Sequence, residues 1–165
     1  MAKQSAGVLP YRIRDGVLEV LICHPGGPLW ARRDAGSWSI VKGEYAADEV
    51  PWVAAQREFR EEVGLDPPEG TIVPLAPVRQ RAGKVVSAFA VEGDLDITDA
   101  VSNEFEMEWP PRSGQMKSFP EIDRVEWCSV AVARTRLIAA QVAFLDELVN
   151  AVEAADRTDR PPVPE

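Results

Sequence analysis

The chain has 165 residues, 45% of them hydrophobic and 27% charged, the composition of one soluble folded domain with a real core. Its formal net charge of -9 argues against a nucleic-acid polymer as partner, since such partners select a broad basic surface. No apolar run approaches the roughly 20 residues that cross a bilayer, and the first five residues lack the hydrophobic stretch of a secretory leader. A cytoplasmic protein with no membrane partner is therefore expected.

In chain order, residues 6–13 and 17–23 are predicted strands, joined at Asp15-Gly16, a tight-turn pair. Residues 24–28, His-Pro-Gly-Gly-Pro, are predicted to form a loop, which makes His24 a loop residue. Residues 38–41 are a short predicted strand running into Lys42-Gly43. From 51 to 63 the periodicity is helical, with Trp52, Ala55, Phe59 and Val63 on one stripe. Pro51 suits the first turn and Gly64 the stop. Val50 is a poor cap, so Asp48 or water is expected to take the free amides.

Strand-like runs return at 71–75, 85–91 and 124–128. Residues 93–120 look irregular, and a connection of that length is usually functional. Residues 137–154 are predicted as an amphipathic helix with Ile138, Val142, Leu145, Leu148 and Val152 inward. Residues 156–165 are Pro-rich and charged and are expected to be a flexible tail after a domain spanning 1–155. The order of elements implies an α+β fold, an α/β/α sandwich with a mixed sheet between helices. Cys23 and Cys128 form no metal-ligand pair and are expected to be buried thiols.

The helix carries Glu58, Glu61 and Glu62 at i, i+3 and i+4, which places three carboxylates within about 100° of one another. Such a face weakens the helix by like-charge repulsion. It is also the donor set that a hard divalent cation selects. The spacing is wider than the helix. From Gly43, five residues lead to Glu49, seven more to Arg57, and then Glu58-Phe59-Arg60-Glu61-Glu62-Val63-Gly64-Leu65 follows. Every fixed position of G-x5-E-x7-R-E-U-x-E-E-x-G-U is present, where U is a bulky apolar residue. This segment resembles the signature box of the Nudix hydrolases. Its flanks, 38–44 and Glu126-Trp127, resemble that family's strand into the box and its last strand.

The resemblance implies a Nudix fold and a Mg2+-dependent pyrophosphohydrolase, with Mn2+ as a substitute. Glu58, Glu61 and Glu62 would be metal ligands, with the Gly43 carbonyl a further one. Arg57 and Glu49 would form a pair that orients the ligands. Glu121 corresponds to a further family glutamate, as metal ligand or base, and Glu58 is the other candidate base. Glu104, Glu106 and Glu108 are rivals to Glu121. Lys42, Arg32 and Arg33 are candidates to meet the phosphates, although an Arg-Arg pair in a loop is commonly just solvated. Trp30, Trp38 and Trp109 could stack on a base, with core packing the plainer role for Trp38.

Val41 stands where many relatives have proline before the lysine. The downstream tyrosine of diadenosine polyphosphate hydrolases is replaced by 79–83, Arg-Gln-Arg-Ala-Gly, and the proline of ADP-ribose hydrolases is missing. Short connections with Lys42, Arg32 and Arg33 favour a small nucleotide substrate, a nucleoside triphosphate or dinucleoside polyphosphate. Residues 108–113 are expected in a substrate-facing loop. The alternative is a nucleotide sensor or scaffold that kept the fold and lost turnover; the intact box glutamates weigh against it. Many members of the resembled family are dimers, which leaves a homodimer open.

Overall fold

The computed structural model describes residues 2–159. Nine strands are arranged as β1 (Gln4–Arg14), β2 (Val17–Pro25), β3 (Val41–Glu44), β4 (Ile72–Pro74), β5 (Val78–Arg79), β6 (Val85–Glu92), β7 (Glu104–Glu108), β8 (Met116–Pro120) and β9 (Ile122–Ser129). The helices are α1 (Pro51–Val63), α2 (Val130–Arg136) and α3 (Val142–Asp159), with a single 3-10 turn at Ala139–Gln141. The main sheet runs β4-β6-β1-β2-β9, with β3 added to β1 and β5 to β6. The β1–β6 pair is parallel and the other pairs are antiparallel, so the sheet is mixed as expected.

A central strand covered on both faces has a continuous apolar run, and β1 is buried from Ser5 to Tyr11. Ala6 and Val8 join the core under α1, with Leu21, Cys23, Val41, Phe59 and Val63. Leu9 and Tyr11 join the opposite core, with Val20, Ile22, Trp38, Phe144, Leu145 and Leu148. The helices thus sandwich the sheet. Among the described residues no helix is long and apolar enough to cross a membrane.

The turn at Asp15-Gly16 has φ of 52° and 78°, the pair of positive angles that a tight hairpin requires. The α1 helix has its predicted bounds, and Gly64 ends it at φ 75°. Asp48 provides no cap: Val50 caps without a side-chain bond, and Pro51 has no amide to satisfy. Trp38 and Ser39 form only isolated bridges, to Leu137 and Cys23, and the regular strand begins at Val41.

Two expectations about the later elements are corrected. The stretch 93–120 holds the β7–β8 hairpin, a separate two-stranded sheet whose Glu-Phe-Glu-Met-Glu alternation is a strand signal. The helix expected over 137–154 starts later, because Leu137 and Ile138 are extended and the Ile138 amide donates to the Trp38 carbonyl at 2.8 Å. α3 continues to Asp159, and residues 160–165 of the expected tail 156–165 lie outside the described residues.

Candidate active site

α1 lies against β1 and β3, so its Glu58 is pressed to β3 and is only 8% exposed. A Cβ on Gly43 would run into the Glu58 carboxylate, which explains the glycine at that position. Arg57 is a hub. It donates to Glu58 at 2.9 Å and to Glu49 at 2.8 Å, and it lies 3.4 Å from Glu61. The Glu49 hydrogen bond is the main reason its guanidinium is held even more firmly protonated than usual, and burial opposes it. Burial pushes the Glu58 carboxyl up and Arg57 pulls it back.

Glu62 is the most perturbed carboxyl of the set, pushed up to about 7 by burial and then by the charges of Glu121, Glu58 and Glu61. Lys42 opposes that rise. Burial lowers the pKa of Lys42, and the charge of Lys84 adds to the effect. Glu62, Glu121, Lys42 and Trp30 line one cavity of about 240 Å³ floored by Ile40 and Ile138. The fold therefore brings together residues from β3, α1, the loop after β2 and the connection into β9. Among the described residues no three carboxylate, imidazole or thiol groups share one finished ion cage. Glu49, Glu58 and Glu61 are instead gathered around Arg57.

Other candidates lie elsewhere. Arg33 stacks on Trp30, its guanidinium carbon 5.3 Å from the ring centroid, while Arg32 is exposed. Trp38 is fully buried in the core. Trp109 stands at the tip of the β7–β8 hairpin, away from the cavity, its amide bonded to the Gln115 carbonyl at 2.9 Å. Glu104, Glu106 and Glu108 alternate along exposed positions of β7 and do not line the cavity. The opposite face of that strand does approach it: Phe105 and Met107 join Trp30 and Glu121 in an adjoining cleft.

A family model for the NUDIX domain matches residues 2–148. The chain belongs to the NUDIX family. Two curated relatives are similar over part of their length. An RNA pyrophosphohydrolase of Marinomonas sp. (strain MWYL1) is 41% identical over 64 residues, 38% of each chain. One of Hahella chejuensis (strain KCTC 2396) is 43% identical over 56 residues, 33% of this chain and 35% of that one. The chain thus spans little more than a third of the curated relatives it matches.

Solved NUDIX structures share the fold. A C. elegans Ap4A hydrolase binary complex aligns at TM-score 0.60 and 20% identity, covering 93% of this chain and 99% of that one. The NUDIX domain of Shewanella oneidensis NrtR, complexed with ADP ribose, aligns at TM-score 0.61 and 14% identity, covering 92% and 89%. A mutT/nudix family protein from Listeria innocua reaches 0.63 at 13% identity, covering 94% and 97%.

Two residues of this NUDIX domain escaped the sequence reading. His24 is not in a loop: it lies within β2, fully buried, with Nδ1 2.7 Å from Asp123 and Nε2 2.6 Å from the Arg33 carbonyl. Both ring nitrogens thus face oxygen atoms. The histidine ties the Trp30–Arg33 loop to the segment after Glu121. Extending the Val20, Ile22 alternation by one step would have placed it on the Trp38 side. Gln141 is also fully buried. Its Oε1 accepts from the Ile40 amide at 2.9 Å, and its Nε2 donates to Ser39 at 3.0 Å and Gln80 at 2.9 Å. Only the tertiary fold reveals that role, since Gln141 is separated from Ile40 by 101 positions.

Proposed function

We propose that this NUDIX domain is a divalent-metal-dependent hydrolase that cuts a pyrophosphate linkage in a nucleotide. Nucleoside triphosphates and dinucleoside polyphosphates are the favoured substrates. The observation that carries the reading is the convergence of Glu62, Glu121, Lys42 and Trp30 on one cavity, with Glu58 and Glu61 on the same helix as Glu62 and held by Arg57. The donor set fits Mg2+. It offers carboxylate oxygens, which that ion prefers; burial first, and then the neighbouring carboxylates, raise Glu62 to about 7, a penalty that a cation would relieve. Glu58, Glu61, Glu62 and Glu121 would hold it, with the Gly43 carbonyl. Bound there, Mg2+ would neutralise pyrophosphate charge and make bound water more acidic.

The protein's own residues divide the remaining work. Trp30 supplies an aromatic face for a base, steadied by Arg33. Lys42 meets phosphate oxygens from the half-buried end of β3, where reduced hydration strengthens the contact. Glu58 is fixed by Arg57 and Gly43, which suits a holding group. Glu121 is exposed on the cavity wall, which suits the group that takes the proton from water.

A binding-only sensor is the rival. Phosphate or pyrophosphate release with Mg2+ is measured for wild type and Glu61→Gln across nucleoside triphosphates, dinucleoside polyphosphates, ADP-ribose and 5′-triphosphorylated RNA. The names of the curated relatives place RNA in the panel despite the net charge of -9. Wild type is expected to turn over at least one substrate and Glu61→Gln to be slower by about a hundredfold or more. Background release from both proteins would leave the sensor.

A further inference from the structure

The acidic chain gathers cations at one corner of its sheet. Lys3 directly precedes β1, Lys84 directly precedes β6, and Arg79 ends β5. The strand register brings them together: Gln4 pairs with Val85, Arg79 pairs with Val85, and the Val85 amide donates to the Lys3 carbonyl at 2.9 Å. Ser5 pairs with Glu44 on the other side of β1. The three cations and Glu44 line an open cleft of about 480 Å³.

Glu44 lies 3.0 Å from the Lys84 ammonium and 3.7 Å from that of Lys3. Surface pairs of this kind contribute little to stability, and one carboxylate does not balance three cations. The surplus is positioned by buried structure. Gln80, next to Arg79 on the same turn, is held by buried Gln141, which also holds the Ile40 amide just before β3. Lys42 and Glu44 are two residues apart on the same face of β3, about 7 Å along the strand. Lys42 on the cavity wall and Glu44 on the cleft wall are thus neighbours along one face of β3.

We propose that Lys3, Arg79 and Lys84 form an accessory subsite for phosphate groups that lie beyond the scissile pyrophosphate. The proposal rests on the hydrolase reading for its place in a substrate, but its ligand chemistry is independent of turnover. A ligand with three or more phosphates would span Lys42 and reach this corner, and one with a bare two-phosphate bridge would not. The distal groups could be further phosphates of a dinucleoside polyphosphate, or the first phosphodiester of an RNA 5′ end.

Titration calorimetry with inorganic tripolyphosphate in EDTA tests the subsite without metal or catalysis. Lys3→Ala/Arg79→Ala/Lys84→Ala is expected to bind about tenfold more weakly than wild type. Glu44→Gln, which frees the two lysines, is expected to bind more tightly. Arg79→Glu alone guards against misfolding, because Arg79 is exposed and donates only a long 3.3 Å bond to the Gly83 carbonyl. It too is expected to weaken binding. Unchanged affinity in both the triple variant and Arg79→Glu would overturn the subsite.

Kinetic arms then identify the source of the phosphates. The triple variant is expected to raise KM for a dinucleoside tetraphosphate, a 5′-triphosphorylated oligoribonucleotide or both, while leaving ADP-ribose unchanged. Equal losses on all three would also overturn the proposal. If wild type hydrolyses nothing, the hydrolase reading fails and calorimetry still decides the subsite.

Discussion

The α1 helix and the β7–β8 hairpin both approach the same cavity, yet they are held in different ways. α1 is anchored by Ala54, Ala55, Phe59 and Val63, each fully buried against a sheet of seven strands. The hairpin is a two-stranded sheet of its own, its Phe105 and Phe119 rings 6.0 Å apart and only half-buried. A two-stranded ribbon is marginal unless it leans on something. This one leans on Gly27, where a Cβ would meet the Phe105 ring at 2.9 Å, and on the bond from the Gly26 amide to the Glu121 carbonyl. Under the proposed function, the groups that need fixed spacing would be on the rigid element, and a surface for the variable part of a substrate would be on the lightly held one.

That contrast can be broken at several points. The largest effect is expected from Phe59→Ala, which should cost about 3–5 kcal/mol in urea unfolding because a buried ring leaves a cavity. A loss under about 1 kcal/mol would mean that α1 is not the rigid partner. Gly43→Ala comes next. It pushes the Glu58 carboxylate aside, so kcat is expected to fall by about a hundredfold with the unfolding midpoint nearly unchanged. Wild-type kcat in that variant would refute the close packing of strand and carboxylate.

Phe105→Ala should be milder, costing about 0.5 kcal/mol of stability and raising KM severalfold without a matching fall in kcat. The smallest effect concerns the thiols. Burial pushes Cys23 up to about 12 and Cys128 up to about 11. A thiol with raised pKa holds less thiolate at any pH below that value, so both should react slowly with a disulfide reagent at pH 8 until the chain is unfolded. Rapid labelling of the native protein would show that the sheet opens around them.

The residues that were legible in the sequence are those whose roles are local. Trp52, Ala55, Phe59 and Val63 repeat at helical spacing, and Gly64 marks the stop, so α1 could be drawn to the residue. The carboxylate face follows from that helix alone. His24 and Gln141 were missed because their partners, Asp123 and Ile40, are brought near only by tertiary folding. The corner of Lys3, Arg79 and Lys84 was invisible for the same reason, since it exists only once β1, β5 and β6 are in register. The β7 strand was overlooked for a different reason. Its Glu-Phe-Glu-Met-Glu alternation was present but was outweighed by the prolines and glycine of the turn that follows.

The pairing of β1 with β6 and of β2 with β9 also has a consequence for how the molecule is made. Gln4 waits for Val85, and Glu19 for Ser129, before either can close its ladder. A chain emerging from the ribosome can wind α1 early. The cavity beside that helix takes shape only after β9 (Ile122–Ser129) has been synthesised, because β9 carries in the segment that bears Glu121. Such distant pairings slow folding. The carboxylate helix is thus ready long before there is a site for it to serve.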